Sequence, residues 1–254
     1  EDVYKRQVLT ESNTTHKSVP MLMSSVTAHD FNSIYRQKGI ITAFKEAGYR
    51  TAFFSNQRYN HSFIDFFGKE ADICDFIKED TGDGGYNPSD DELLKLVAAE
   101  LAENVSKQFI VLHTYGSHFN YRERYPADNA FFLPDFPVDA ELKYKDNLIN
   151  AYDNSIRYTD NFLARLIRML QEQDIDAAML YTSDHGEDIF DDDRHLFLHA
   201  SPVPSYYQIH VPFLIWMSDN YRKNYPDLFK NAEINRQKNI SSSASFFQTM
   251  LELG

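Results

Sequence analysis

The chain has 254 residues, room for one large domain or two small ones, whose core needs neither disulfides nor metals as staples. Hydrophobic residues make up 43% and charged residues 25%, which excludes wholesale disorder. A formal charge of −13 argues against the phosphate backbone of nucleic acid as a partner, though not against a pocket whose charge a metal ion reverses.

The single cysteine, Cys74, permits no intrachain disulfide and removes every multi-cysteine metal site. No run approaches the roughly 18 apolar residues of a membrane span, and no signal-peptide pattern opens the chain. Residues 1–7 carry no initiator Met and no clear pattern. They read as foreign or disordered and are set aside, leaving one expected domain over residues 8–254.

From there short apolar runs alternate with helical patterns. Val8-Leu9-Thr10 reads as a strand end, followed by a polar turn over 11–15 and a predicted helix over 19–25. Ile40, Ile41, Phe44 and Ala47 share a helical face that Gly48 ends, and 50–54 then reads as a strand. Leu93, Leu94, Val97 and Leu101 mark another helix, and Gln108–His113 is a buried strand. Ile156, Leu163, Ile167 and Leu170 line one face of a long helix over 147–172. Strands follow over 177–182 and 211–216, and a helix over 246–253 closes the chain. This alternation predicts an α/β fold, a three-layer αβα sandwich around a mostly parallel sheet. Segments 58–90 and 119–146, rich in Asp, Asn, Tyr and Pro, read as excursions anchored by Phe63, Phe66, Phe131 and Phe136.

In open α/β sheets a ligand sits beyond the carboxyl ends of the strands. Polar, metal-capable residues follow three of the predicted strands, at 11–16, 113–118 and 183–187. Asp184-His185 directly follows an apolar strand, where a carboxylate and an imidazole suit a divalent metal such as zinc and Gly186 lets the backbone turn. The bland alternative is an Asp turn beside a surface His; Thr-Ser before and Glu187 after weigh against it. Thr15, near a helix start, is either a plain N-cap or a hydroxyl facing a pocket where the helix end favours anions. Such a hydroxyl is a poor nucleophile until a base or a metal removes its proton. Of the nine histidines, His118 and His199 lie in loops past strands and His113 reads as a satisfied core residue. His29, His61 and His210 read as solvated, and His16 and His195 stay ambiguous. The run Asp191-Asp192-Asp193 lacks the spacing of an EF-hand loop and reads as solvated.

Several motifs then resemble one family. They are Asn150-Ala-Tyr-Asp-Asn-Ser155, Thr159-Asp160-Asn161-Phe162, Leu180-Tyr-Thr-Ser-Asp-His-Gly-Glu187, Leu198-His199 and Val211-Pro212-Phe213. In order and spacing, from Thr10 to the C-terminus, the chain resembles the catalytic domain of the phosphoethanolamine transferases. These are membrane-anchored members of the sulfatase and alkaline phosphatase superfamily that modify lipid A and related glycans.

The resemblance implies Thr15 as nucleophile, Thr15, Asp184 and His185 as zinc ligands, and His118 and His199 as residues that bind phosphate or a second zinc. It implies zinc-dependent transfer of a phosphoethanolamine headgroup from phosphatidylethanolamine to lipid A or another envelope glycan, through a phospho-threonine intermediate. The implied place is the periplasmic face of the bacterial inner membrane. The family's remaining zinc ligand, a Glu in a Gly-Glu-Ser/Thr segment, has no counterpart here. The chain therefore reads as a fragment, inactive as it stands if that ligand is essential, with a first strand and membrane helices expected upstream. Glu11 and Met21 stand where the lipid A enzymes often carry a cysteine pair, and Ala200 stands where Gly usually follows the second pocket His. Cys74 does not fit the Cys/Ser-x-Pro-x-Arg motif of sulfatases, which disfavours sulfate-ester hydrolysis. The alternatives are a phosphoglycerol transferase, a phosphatase or phosphodiesterase on the same scaffold, and a remnant that only binds glycan or lipid.

Overall fold

The structure is a computed structural model that describes residues 3–5, 8–78 and 88–254. In chain order its elements begin β1 (Val3–Lys5), β2 (Val8–Leu9), α1 (Thr15–Met23), α2 (Ile40–Glu46), β3 (Arg50–Ser55), α3 (Phe63–Gly68) and β4 (Ile73–Phe76). Next come α4 (Asp91–Ala102), β5 (Gln108–His113), α5 (Lys145–Gln171), β6 (Ala178–Thr182), β7 (Asp188–Ile189) and β8 (Phe197–Leu198). The chain ends with α6 (Tyr206–Ile209), β9 (Phe213–Met217), α7 (Asp219–Asn224), α8 (Pro226–Asn235), β10 (Ile240–Ser241) and α9 (Ser242–Leu253). The fold is α/β. The chain divides into two compact units, residues 1–48 with 167–188 and 199–254, and residues 49–166 with 189–198.

In the first unit β9 lies between β1 and β6 and runs antiparallel to both, with Ile215 opposite Val3 on one side and Leu180 on the other. Val3–Lys5, set aside in the sequence reading, thus forms a strand; residues 1, 2, 6 and 7 lie outside the described residues. The run Phe-Leu-Ile-Trp-Met is a strand because alternate side chains find an apolar partner layer. Phe213, Ile215 and Met217 share one core cluster with Val8, Val211 and Tyr221. Residues β2 and β10 pair in parallel, Val8 against Ile240, and backbone bonds from Thr10 to Ile209 and from Val211 to Val8 hold β2 beside the start of β9.

In the second unit the sheet is parallel, ordered β4–β3–β5, with Ala52 opposite both Ile73 and Ile110. Its central strand is buried from Thr51 to Ser55, as the rule for parallel sheets requires. The strand ends are polar: Ser55 lies opposite His113, and its hydroxyl is 3.0 Å from His113 Nδ1. Asp90 organises the loop after β5, accepting from Tyr115 N at 2.8 Å, Gly116 N at 2.9 Å and Asn56 Nδ2 at 2.7 Å.

The sequence reading needs correcting in the two excursions. The first contains α3, whose Ser62–Asp65 capping box fixes its start, and β4; its 79–87 part lies outside the described residues. Phe66 is no anchor: α3 turns Ile64 and Phe67 inward and leaves Phe66 exposed. Phe131 and Phe136 are exposed as well, because polar side chains rather than apolar ones tether that loop.

Candidate metal centre

The polar turn after β2 delivers Thr15 to the first helical position of α1, one turn earlier than the helix predicted over 19–25. The N-cap is Thr14, whose side chain makes no capping bond, so the N-cap alternative for Thr15 falls away. Instead the Thr15 hydroxyl lies 3.0 Å from His185 Nε2. On the other side of that ring Nδ1 is 2.9 Å from the Gly186 carbonyl, which can only accept. Nδ1 therefore carries a proton; with the ring in that Nδ1–H tautomer, Nε2 is the acceptor and the threonine hydroxyl the donor. Asp184 Oδ2 lies 3.5 Å from the same Nε2. The fully buried Ser18 hydroxyl lies 3.1 Å from Asp184 Oδ2 and 2.9 Å from the Thr14 carbonyl, joining the first turn of α1 to the carboxyl group.

Glu187 and His199 complete the group. Glu187 Oε1 accepts from His199 Nδ1 at 2.9 Å, and the His185 and His199 ring centroids are 4.2 Å apart. This hydrogen bond to the carboxylate holds the His199 pKa above the usual histidine value, against the lowering effect of partial burial. The other oxygen of Glu187 is buried and has no hydrogen-bond partner among the described residues. One ligand atom from each of His185, Glu187 and His199 falls within 4.8 Å of the others. A buried carboxylate oxygen without a donor is costly, and a cation among two imidazoles and nearby carboxylates would satisfy it. The residues fit a divalent metal of the zinc type.

Beneath these side chains lies a buried polar knot. Gln208 and Asp188 are fully buried and Ser205 nearly so. Gln208 Nε2 donates to Asp188 Oδ2 at 2.5 Å and to Ser201 Oγ at 2.8 Å, while its Oε1 accepts from Asn13 Nδ2 at 2.6 Å. Ser205 Oγ donates to Asp188 Oδ1 at 2.8 Å, and Gly186 N donates to the Gln208 carbonyl at 2.9 Å. Asn13 precedes Thr15, Gly186 follows His185 and Ser201 follows His199, so one glutamine ties down the three segments that carry the site. Gly186 is needed for closeness rather than for a special turn: it has no positive φ, but a Cβ there would collide with the Tyr207 carbonyl. Ala200 does sit in the left-handed region, at φ 65°, which accounts for the glycine that the resemblance leads one to expect there.

The structure thus brings together Thr15, Asp184, His185 and His199. His118 belongs to the second unit, in the loop that Asp90 holds; its ring stacks on Tyr115 and its Nδ1 donates to the Phe119 carbonyl at 2.5 Å. His16, His29 and His195 are exposed, and burial pushes the Cys74 thiol up, away from the reactive thiolate. Sequence reasoning gave no role to Glu187, although it closes the Ser-Asp-His-Gly-Glu run. It passed over Ser18, Asn13, Asp188 and Gln208, whose partners are distant in the chain.

Two substitutions test this architecture. Gln208→Ala strands the buried Asp188 oxygen and should cost about 3 kcal/mol in denaturant unfolding. Ala200→Gly removes left-handed strain of about 1–2 kcal/mol and adds unfolded-state entropy of roughly 0.5–1 kcal/mol. The variant should come out more stable by about 0.5–1 kcal/mol, and a lower melting temperature would contradict the strain.

Comparison with known proteins adds the lineage. A sulfatase family model matches residues 1–254. The Kdo(2)-lipid A phosphoethanolamine 7''-transferase of Escherichia coli (strain K12) is 30% identical over 209 residues, 81% of this chain and 36% of that protein. The C-terminal periplasmic domain of EcEptC from Escherichia coli, in complex with Zn, superposes with a TM-score of 0.87 at 22% identity, covering 99% of this chain and 71% of that one. The integral membrane protein lipooligosaccharide phosphoethanolamine transferase A from Neisseria meningitidis gives a TM-score of 0.84 at 23% identity, covering 99% and 48%. The two structural likenesses establish the fold. The chain spans about a third of the length of the curated relatives it matches, and no helix among its described residues is long and apolar enough to cross a membrane. A family model that covers the whole chain, on a fold that gathers a hydroxyl, two imidazoles and carboxylates, has one consequence: this chain belongs to the sulfatase family.

Proposed function

We propose that the chain carries the catalytic part of a phosphoethanolamine transferase, taking the headgroup from phosphatidylethanolamine and passing it to lipid A or a related envelope glycan. The observation that carries this reading is the Thr15 hydroxyl, donated to a histidine whose tautomer is already fixed, at the N-terminus of a helix. Thr15, Asp184 and His185 would hold a zinc ion, with Glu187 and His199 beside them. Bound there, zinc lowers the pKa of a coordinated hydroxyl and favours its alkoxide.

The remaining chemistry belongs to the chain. Thr15 Oγ1 forms a bond to the donor phosphorus while the bond from phosphorus to the diacylglycerol oxygen breaks. The threonine proton leaves and the departing oxygen takes one up, so diacylglycerol is released and Thr15 carries phosphoethanolamine. An acceptor hydroxyl or phosphate oxygen then displaces Thr15, which regains its proton. The N-terminal end of α1 has no acidic residue in its first turn and favours the phosphoryl oxygens through its backbone dipoles. His199 hydrogen-bonds those oxygens, and the resemblance gives His118 the same task. The relatives' names, which speak of lipid A and of a periplasmic domain, support a place on the periplasmic side of the inner membrane.

The nucleophile is tested with headgroup-labelled phosphatidylethanolamine. Wild-type protein should retain label, and Thr15→Ala should retain none while its unfolding free energy changes by about 1 kcal/mol, the loss of one neutral hydrogen bond. Label on Thr15→Ala ends the assignment, and preference for labelled phosphatidylglycerol shifts it to a phosphoglycerol transferase.

The metal is tested by elemental analysis. Asp184→Asn, His185→Ala and Glu187→Gln should each lower bound zinc, whereas His118→Ala should lower transfer and spare the metal. The controls His29→Ala and His61→Ala should change neither. Equal zinc in wild type and the first three variants would sink the site.

A further inference from the structure

The motif Asn150-Ala-Tyr-Asp-Asn154 lies on α5 in the second unit, where it has a definite job. Asn154 is 1% exposed; its Oδ1 accepts from Phe131 N and Phe132 N, both at 2.9 Å, and its Nδ2 donates to the Phe132 carbonyl at 2.9 Å. Asn150 Nδ2 donates to the Pro134 carbonyl at 2.9 Å, and Asn147 Nδ2 to the Phe136 carbonyl at 3.3 Å. Spacings of three and four residues put these amides on one face of α5. They satisfy the loop backbone, so no apolar side chain is needed to pin it.

The side chains so freed point outward. Phe131 is 66% exposed, Leu133 66%, Phe136 67% and Val138 81%. Soluble chains rarely display such a run without a use. The one acid between 130 and 138, Asp135, is turned inward to 1% exposure, where it accepts from the Tyr125 hydroxyl at 2.7 Å and pairs with Arg122 at 3.2 Å. Burial, with that carboxylate, pushes the Tyr125 hydroxyl up to about 12 and keeps it a donor. Two guanidinium groups border the apolar residues, Arg157 lying 4.5 Å from the Phe131 ring centre and Arg122 4.4 Å from that of Phe136.

We propose that the 130–138 loop docks on a phospholipid surface, its apolar side chains entering the boundary between headgroups and acyl chains. An acidic protein is repelled by anionic headgroups. This loop is a place where approach costs little, because its carboxylate, Asp135, is withdrawn and already paired with Arg122, while the exposed guanidinium of Arg157 at its edge is suited to phosphates. The inference rests on the transferase reading, which makes a membrane lipid the substrate.

Flotation with vesicles of phosphatidylethanolamine and phosphatidylglycerol in equal parts tests it. The wild-type chain should float, and the combined variant Phe131→Ser, Leu133→Ser, Phe136→Ser should lose about tenfold in partitioning. Tyr35→Ser, an exposed aromatic elsewhere, should behave as wild type. A second arm uses Leu133→Trp, whose emission should shift to the blue on vesicles and be quenched by brominated acyl chains. Equal flotation of wild type and the combined variant, or no blue shift, overturns the proposal. So does self-association that the combined variant abolishes in the absence of vesicle binding, which would assign the loop to a second copy. The two readings fail separately. Flotation of a chain that takes no label at Thr15 leaves the loop standing, whereas labelling from a short-chain, water-soluble donor without flotation leaves only the transferase.

Discussion

The buried pairing of Gln208 with Asp188 is the constraint on which the site depends. A carboxyl group and a primary amide removed from water must exhaust their hydrogen bonds on protein partners, or the fold forfeits several kcal/mol (about 1–3 for each neutral group, more for a charged one). Here the amide spends both its donors and its acceptor, on Asp188, Ser201 and Asn13. Each partner lies within two residues of Thr15, Glu187 or His199. Those side chains are held because the residues beside them cannot move without stranding a polar atom, the usual relation between candidate ligands and the groups that orient them.

The same logic explains the histidines. His185 Nδ1 donates to the neighbouring Gly186 carbonyl and His199 Nδ1 to Glu187, so each ring is oriented by a partner on its Nδ1 side, with the ring centroids 4.2 Å apart. A site of this kind is decided by backbone proximity as much as by side-chain identity. Gly186 shows it plainly, since its backbone runs so close to the 207–210 segment that any side chain would collide.

Much of this was legible in the sequence, for physical reasons that differ by element. The strands Gln108–His113 and Ala178–Thr182 and the long helix α5 announce themselves by period and length. Thr15, Asp184 and His185 follow strands, where α/β sheets place their ligands. The short helices α7 and α8 escaped because they depend on local devices, a Ser218 cap bonding Tyr221 N and Pro226 in the first turn, rather than on a long apolar face. Gln208 could not be read at all. It sits among Tyr206, Tyr207 and His210 with no periodic signal, and its significance lies in Asp188, twenty residues away. Phe131 and Phe136 misled because aromatic residues usually mean core, and only the asparagines of α5 show that this loop is pinned by other means.

Those asparagines also limit how the protein can vary. Asn147, Asn150 and Asn154 meet the carbonyls and amides of a loop at intervals set by a helix rising about 1.5 Å per residue. The match is one of backbone to ruler, indifferent to what the loop's exposed side chains are. At the exposed positions the loop can therefore exchange one exterior chemistry for another without disturbing these bonds, whereas Asp135 is fixed by Tyr125 and Arg122, and an insertion or deletion would put its backbone out of step with the helix. The helix thus constrains the loop's length far more than the composition of its exposed face.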